Sequence, residues 1–151
     1  VTLLGIGQFT SQALAVITGA ERMARSLGHT STRPEHILWA LAGAMPILQK
    51  YGVTHGEVRR RLLSPLTQGT AEVSTSGLVP LSEDAKTVVR RAADEANRHN
   101  HPHNRRNGNR HLISTEDLLL AIMKDSGLPA FWLVADHIGD YDTVCETLGI
   151  T

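Results

Sequence analysis

The feature that most constrains this chain is that it repeats itself once. Ala13, Val16, Ile17, Ala20 and Ala24 recur at helical spacing, and the pattern returns 72 residues later as Ala85, Val88, Val89, Ala92 and Ala96. Each set marks one apolar stripe of an amphipathic helix. A second match is offset by 81, with Glu35, Ile37, Leu38, Ala40 and Leu41 against Glu116, Leu118, Leu119, Ala121 and Ile122. The second copy therefore carries nine extra residues between its matching helices. Val58 and Leu62 match Val144 and Leu148 more loosely, at an offset of 86. One such unit buries too little apolar surface to stand alone. The expectation is all-α: two tandem four-helix repeats packed as one pseudo-twofold domain.

Caps and breakers divide the chain. Thr10 precedes the first stripe and Gly28 stops it. Pro34 suits the first turn of a second helix, where the missing N–H has no helical partner anyway. Pro46 and Gly52 bracket a short third helix, and Thr54 caps a fourth. Ser82 takes the part of Thr10 in the second copy. Ser114 caps a helix expected to reach about Lys124, Pro129 opens the next, and Asp140 caps the last. Repeat one is expected over about 9–63 and repeat two over about 81–149. The Ser-, Thr-, Gly- and Pro-rich stretch of about 64–80 reads as a linker between them.

Composition narrows the functional class. Lys+Arg and Asp+Glu are both 15 in 151 residues, which argues against a generally basic nucleic-acid binder. Cys145 is the single cysteine, so an internal disulfide or a multi-cysteine metal site is excluded. No apolar run reaches the ~18 residues of a membrane span, and no signal-peptide pattern opens the chain. The expectation is a cytoplasmic protein without membrane association. No phosphate-binding G-x-x-x-x-G-K-[ST], H-E-x-x-H or G-x-S-x-G motif is present. The reading is non-enzymatic, with no cofactor.

The repeated element is a capped long helix, then Leu-Gly-His, then a Glu-containing aliphatic helix. It stands as Phe9-Thr10, Leu27-Gly28-His29 and Pro34-Glu35-His36-Ile37-Leu38. Its second form is Leu81-Ser82 and Ser114-Thr115-Glu116-Asp117-Leu118-Leu119-Leu120. This resembles the double Clp N-terminal repeat of ClpC- and ClpA-type AAA+ unfoldases, from about Phe9 to Leu148. Pro34, where the family usually has Thr, and Asp117, where it usually has His, depart from the pattern, as does the long loop of the second copy. The resemblance implies a recognition domain for substrate proteins, adaptors or phosphoarginine-marked proteins, working beside an AAA+ motor or Clp protease complex. It also implies phosphoarginine contacts at Glu35 and Glu116, with the hydroxyls of Thr10 and Ser82. The alternative is a free-standing relative that sequesters a small molecule, peptide, anion or metal.

Each candidate also has a plain structural role. A glutamate in a first turn complements the helix dipole. Thr10 and Ser82 serve as N-caps worth about 1 kcal/mol each. Pro34 removes a backbone donor beside Glu35, so the second copy is expected to be the better ligand site. The stretch 98–111 holds four His and four Arg without an acid. His99, His101 and His103 alternate and are weak metal candidates, but a structural site needs a fourth ligand. The same stretch reads more simply as an exposed polar loop. Arg59-Arg60-Arg61 reads as a solvated helix face, Trp39 and Trp132 as core, and Cys145 as an inert half-buried thiol.

Overall fold

Helix starts fall where the sequence supplies a hydroxyl, an acid or a proline. The computed structural model describes residues 2–3, 7–29, 31–62, 81–98 and 112–148. Helix α1 (Ser11–Ser26) begins at Thr10, whose Oγ1 accepts from the Ala13 N–H at 3.1 Å. It ends before Gly28, whose φ of +75° lies in the left-handed region that a Cβ disfavours. Prolines occupy the first turns of α2 (Pro34–Ala44) and α3 (Pro46–Lys50). Thr54 caps α4 (His55–Leu62) by accepting from the Glu57 N–H.

The second copy repeats this logic. Ser82 caps α5 (Glu83–Arg98) through the Ala85 N–H at 3.1 Å. Ser114 caps α6 (Thr115–Ile122), Pro129 opens α7 (Pro129–His137), and Asp140 accepts from the Thr143 N–H at the start of α8 (Tyr141–Leu148). Helix α6 stops two residues short of the expected Lys124, whose N–H donates to Ala121 O in a tighter three-residue turn. Eight helices are thus present among the described residues, as the caps predict. A two-residue antiparallel pair, β1 (Thr2–Leu3) with β2 (Gly7–Gln8), precedes them and was not expected. The linker expected at about 64–80 and the His/Arg stretch at 99–111 lie outside the described residues, as do His99, His101 and His103.

Both predicted stripes are buried. Ala13, Val16, Ile17, Ala20 and Ala24 of α1 and Ala85, Val88, Val89, Ala92 and Ala96 of α5 are at most 2% exposed. Helix α1 packs on α2, α5 packs on α6, and α2 also meets α6. Helices α2 and α6 are apolar nearly all round, which suits elements covered from several sides. Leu38, Leu41, Leu119 and Ile122 are fully buried in one continuous core that joins both repeats.

The repeats are tied crosswise at their helix starts. Phe9 pairs with Ile113 and Thr32 pairs with Leu81, each as a single parallel backbone bridge. Thr10 N donates to Ile113 O and Ser82 N donates to Thr32 O, both at 2.9 Å. Phe9 and Leu81 are 72 apart, and Thr32 and Ile113 are 81 apart, the offsets of the duplication. The two ties are therefore one contact related by the internal pseudo-twofold.

Two expectations need correction. Trp132 is 55% exposed and is no core residue; its indole N–H donates to Ser126 O at 2.8 Å. Trp39 is half-buried at a groove rather than enclosed. The arginine run is exposed as expected, with Arg60 paired to Glu57 and Arg61 reaching Asp136 on α7 at 3.1 Å. Cys145 is half-buried, and burial pushes its thiol pKa up, consistent with an unreactive group.

Candidate functional site

The crosswise ties decide which candidate residues meet. Thr10 at the start of repeat one joins Ile113, three residues before Glu116. Ser82 at the start of repeat two joins Thr32, three residues before Glu35. The ties therefore run from the Thr10 backbone to the segment entering the Glu116 helix, and from the Ser82 backbone to the segment entering the Glu35 helix. Sequence reasoning paired each hydroxyl with its position in the repeat but did not say which glutamate it faces.

The two groupings differ in surroundings. The Glu35 side chain is 12% exposed, and its Oε2 stands 4.0 Å from Arg33 Nη1. Burial raises its pKa above the ordinary carboxylate value; its own backbone N–H and Arg33 pull the other way, and Asp84 adds to the rise. Asp84 lies in the first turn of α5, two residues after Ser82. Glu116 is half-buried, and its Oε1 accepts from the Thr115 hydroxyl at 2.8 Å. The duplication places Ser114 where repeat one has Arg33, Thr115 where it has Pro34, and Gln12 where repeat two has Asp84. Arg33, Asp84 and Gln12 escaped the motif search. Only the offsets together with the crosswise ties bring them to the sites.

The helices that carry the two glutamates are held by different chemistry. In repeat one the Arg33 N–H donates to His36 Nδ1 at 2.9 Å. That contact leaves the His36 proton on Nε2, which lies 2.7 Å from His29 Nδ1. His36 is fully buried and His29 is 3% exposed. Burial, the neighbouring His29 and Arg33 lower the His36 pKa to about 4, so His36 is neutral at pH 7. In repeat two Asp117 Oδ2 accepts from both the Ser114 N–H and the Ser114 hydroxyl at 2.9 Å. Asp117 thus performs the capping that His36 performs in the first copy, which accounts for that departure from the repeat.

A groove lies elsewhere on repeat one. Ala15, Gly19, Ala40, Gly43, Trp39 and His55 line about 260 Å³ of it, and a neighbouring hollow of about 510 Å³ runs from Phe9 past Leu14 to Arg22. Trp39 and His55 stack with ring centroids 4.2 Å apart. Neither hollow touches Glu35 or Glu116. Among the described residues, no group of three His, Cys, Asp or Glu side chains is gathered as a metal site would require. None of the helices there is long and apolar enough to cross a membrane.

The Clp repeat (R) N-terminal domain family matches residues 8–135. The chain belongs to this family. A Guillardia theta relative, the "ATP-dependent Clp protease ATP-binding subunit ClpA homolog", is 29% identical over 123 residues, covering 78% of this chain and 14% of the relative. The chloroplastic "Chaperone protein ClpC1" of Oryza sativa subsp. japonica is 28% identical over 123 residues, covering 78% of this chain and 12% of the relative. The chain thus spans about one-eighth to one-seventh of the length of these relatives. Two solved structures share the Clp N-terminal fold. The Hsp104 N-terminal domain of Candida albicans superposes with a TM-score of 0.67 at 17% identity, over 93% of this chain and 88% of that one. The N-terminal domain of ClpD from Arabidopsis thaliana gives 0.65 at 18% identity, over 93% and 91%.

Proposed function

We propose that this Clp N-terminal domain is a non-enzymatic recognition unit. It docks substrate proteins, adaptors or phosphoarginine-marked proteins for a Clp-type AAA+ unfoldase in the cytoplasm. The division into repeat one at about 9–63, a linker at about 64–80 and repeat two at about 81–149 belongs to the same reading.

The observation that supports the proposal is the crosswise tie, which joins the start of α1 to the segment leading into Glu116 and the start of α5 to the segment leading into Glu35. A carboxylate accepts two N–H bonds from a guanidinium edge. Hydroxyl and backbone N–H groups at a helix start hold phosphoryl oxygens. A phosphorylated arginine presents both halves on one small group. Thr10 with Glu116 supplies the two halves, and Thr115 orients the carboxylate.

Calorimetric titration with free phosphoarginine tests the reading, with arginine and phosphate as controls. Selective binding is expected in the wild type and is expected to vanish in Glu116→Ala. Absence of heat at millimolar ligand in the folded wild type would overturn the phosphoarginine version of the proposal. The coarser version, protein docking, would then be tested at the groove beside Trp39.

A further inference from the structure

We infer that the two pseudo-equivalent sites are unequal in affinity, Glu116 taking a phosphorylated guanidinium while the chain's own Arg33 and Asp84 disfavour it at Glu35. The inference rests on the recognition reading above and assigns the residues that set specificity within it.

Three differences lead there, each visible by comparing equivalent positions. Arg33 presents a guanidinium 4.0 Å from Glu35 Oε2, where a ligand guanidinium would have to sit. Ser114, at the equivalent place in repeat two, is turned inward to Asp117 and carries no charge. Asp84 acts on Glu35 as a like charge. A dianionic phosphoryl group entering beside Ser82 would meet that carboxylate as well. The equivalent Gln12, two residues after Thr10, is neutral and exposed. Finally, Glu116 is oriented by the Thr115 hydroxyl at 2.8 Å, whereas Pro34 offers Glu35 no such donor.

These effects act in one direction. Glu35 is already partly neutralised by an internal cation, so a ligand must displace Arg33 before it can bind. An ion pair at 4.0 Å with a half-exposed guanidinium changes an equilibrium by up to about fivefold. The Asp84 repulsion adds a factor of similar size, so the sites separate by on the order of tenfold in affinity. Arg33 is the self-ligand of repeat one, and Asp84 excludes phosphate from it.

The test is the stoichiometry of phosphoarginine binding to the full chain. The wild type is expected to bind one equivalent about tenfold more tightly than a second, the tight one lost in Glu116→Ala and retained in Glu35→Ala. The double variant Arg33→Ser/Asp84→Gln, which gives Glu35 the counterparts Ser114 and Gln12 of the Glu116 site, is expected to bring the second equivalent to the affinity of the first, and Glu35→Ala then removes it. The Arg33 side chain is 46% exposed and Asp84 is exposed, and circular dichroism checks that the fold is kept. Two wild-type sites of equal affinity would overturn the inference and leave the recognition reading standing. So would a tight site lost with Glu35→Ala, or a folded double variant whose two affinities still differ as in the wild type. If the double variant does not fold, the wild-type, Glu35→Ala and Glu116→Ala titrations still decide whether the sites are unequal. No binding to any of these proteins would overturn the phosphoarginine version of the recognition reading and this inference with it.

Discussion

His36 shows how one buried side chain couples local capping to acid stability. Its Nδ1 accepts from the Arg33 N–H and its Nε2–H is directed at His29, so the folded chain requires the neutral imidazole. Its folded pKa of about 4 lies below the ordinary 6.5. Between these values the unfolded chain binds more protons, so stability is full above pH 6.5 and falls as pH drops toward 4. The expected loss is roughly 3 kcal/mol, at about 1.4 kcal/mol per pH unit. Thermal melting from pH 7 to pH 4 checks this. His36→Gln, which can still accept from Arg33 and donate to His29, is expected to flatten the profile over that window. An unchanged profile would mean that other groups carry the acid sensitivity.

At the scale of an element, α2 is shaped by what lies against it as much as by its own propensities. Gly43 stands near its end, directly under the His55 ring, and a Cβ there would collide with the imidazole. Gly43→Ala gains up to about 1 kcal/mol of helix propensity. It must also push His55 off Trp39, breaking a stacked contact worth about 0.5–1.5 kcal/mol. The two nearly cancel, so the melting temperature is expected to change little while the Trp39 environment changes clearly. Fluorescence in a Trp132→Phe background, where the exposed indole no longer contributes, reads the difference. An unaltered Trp39 spectrum would show that His55 moves aside without leaving the stack. Helix α8 is fixed by a different device. The Tyr141 hydroxyl donates to the buried Glu95 carboxylate at 2.8 Å, and Lys124 Nζ approaches the same carboxylate at 3.4 Å. Burial and Glu95 push the Tyr141 phenol well above its ordinary pKa, so it stays a donor at any physiological pH.

The whole molecule is expected to behave as one unit, because the backbone N–H at the start of each repeat is paired with the other repeat. Thr10 needs Ile113 and Ser82 needs Thr32, and the apolar core runs through α2 and α6 without interruption. A single cooperative transition is expected, with circular dichroism and tryptophan fluorescence melting together. A fragment ending at residue 62 is expected to show no cooperative melt, since it loses the α5 and α6 surfaces that cover α2. A fragment that melts sharply on its own would show that the repeats are independent domains.

The sequence by itself determined the helices, their caps and the duplication. These depend on short-range chemistry: apolar spacing of three and four residues, hydroxyls at N-caps, prolines in first turns. Thr10, Ser82, Ser114 and Asp140 were legible for that reason, and so was the burial of both stripes. The family was legible because its motif occurs twice in order. Only the tertiary structure decided the rest. Trp132 sits in an apolar helix yet faces solvent, because periodicity does not say where the covering elements end. The partner of each hydroxyl cap lies some 50 to 100 residues away, and no local rule names it. The environment of Glu35, shaped by Arg33 on one side and Asp84 on the other, follows from how the two halves cross. Local propensity acts over a few residues, whereas burial and electrostatics act through space, and the pseudo-twofold packing is what turns one into the other.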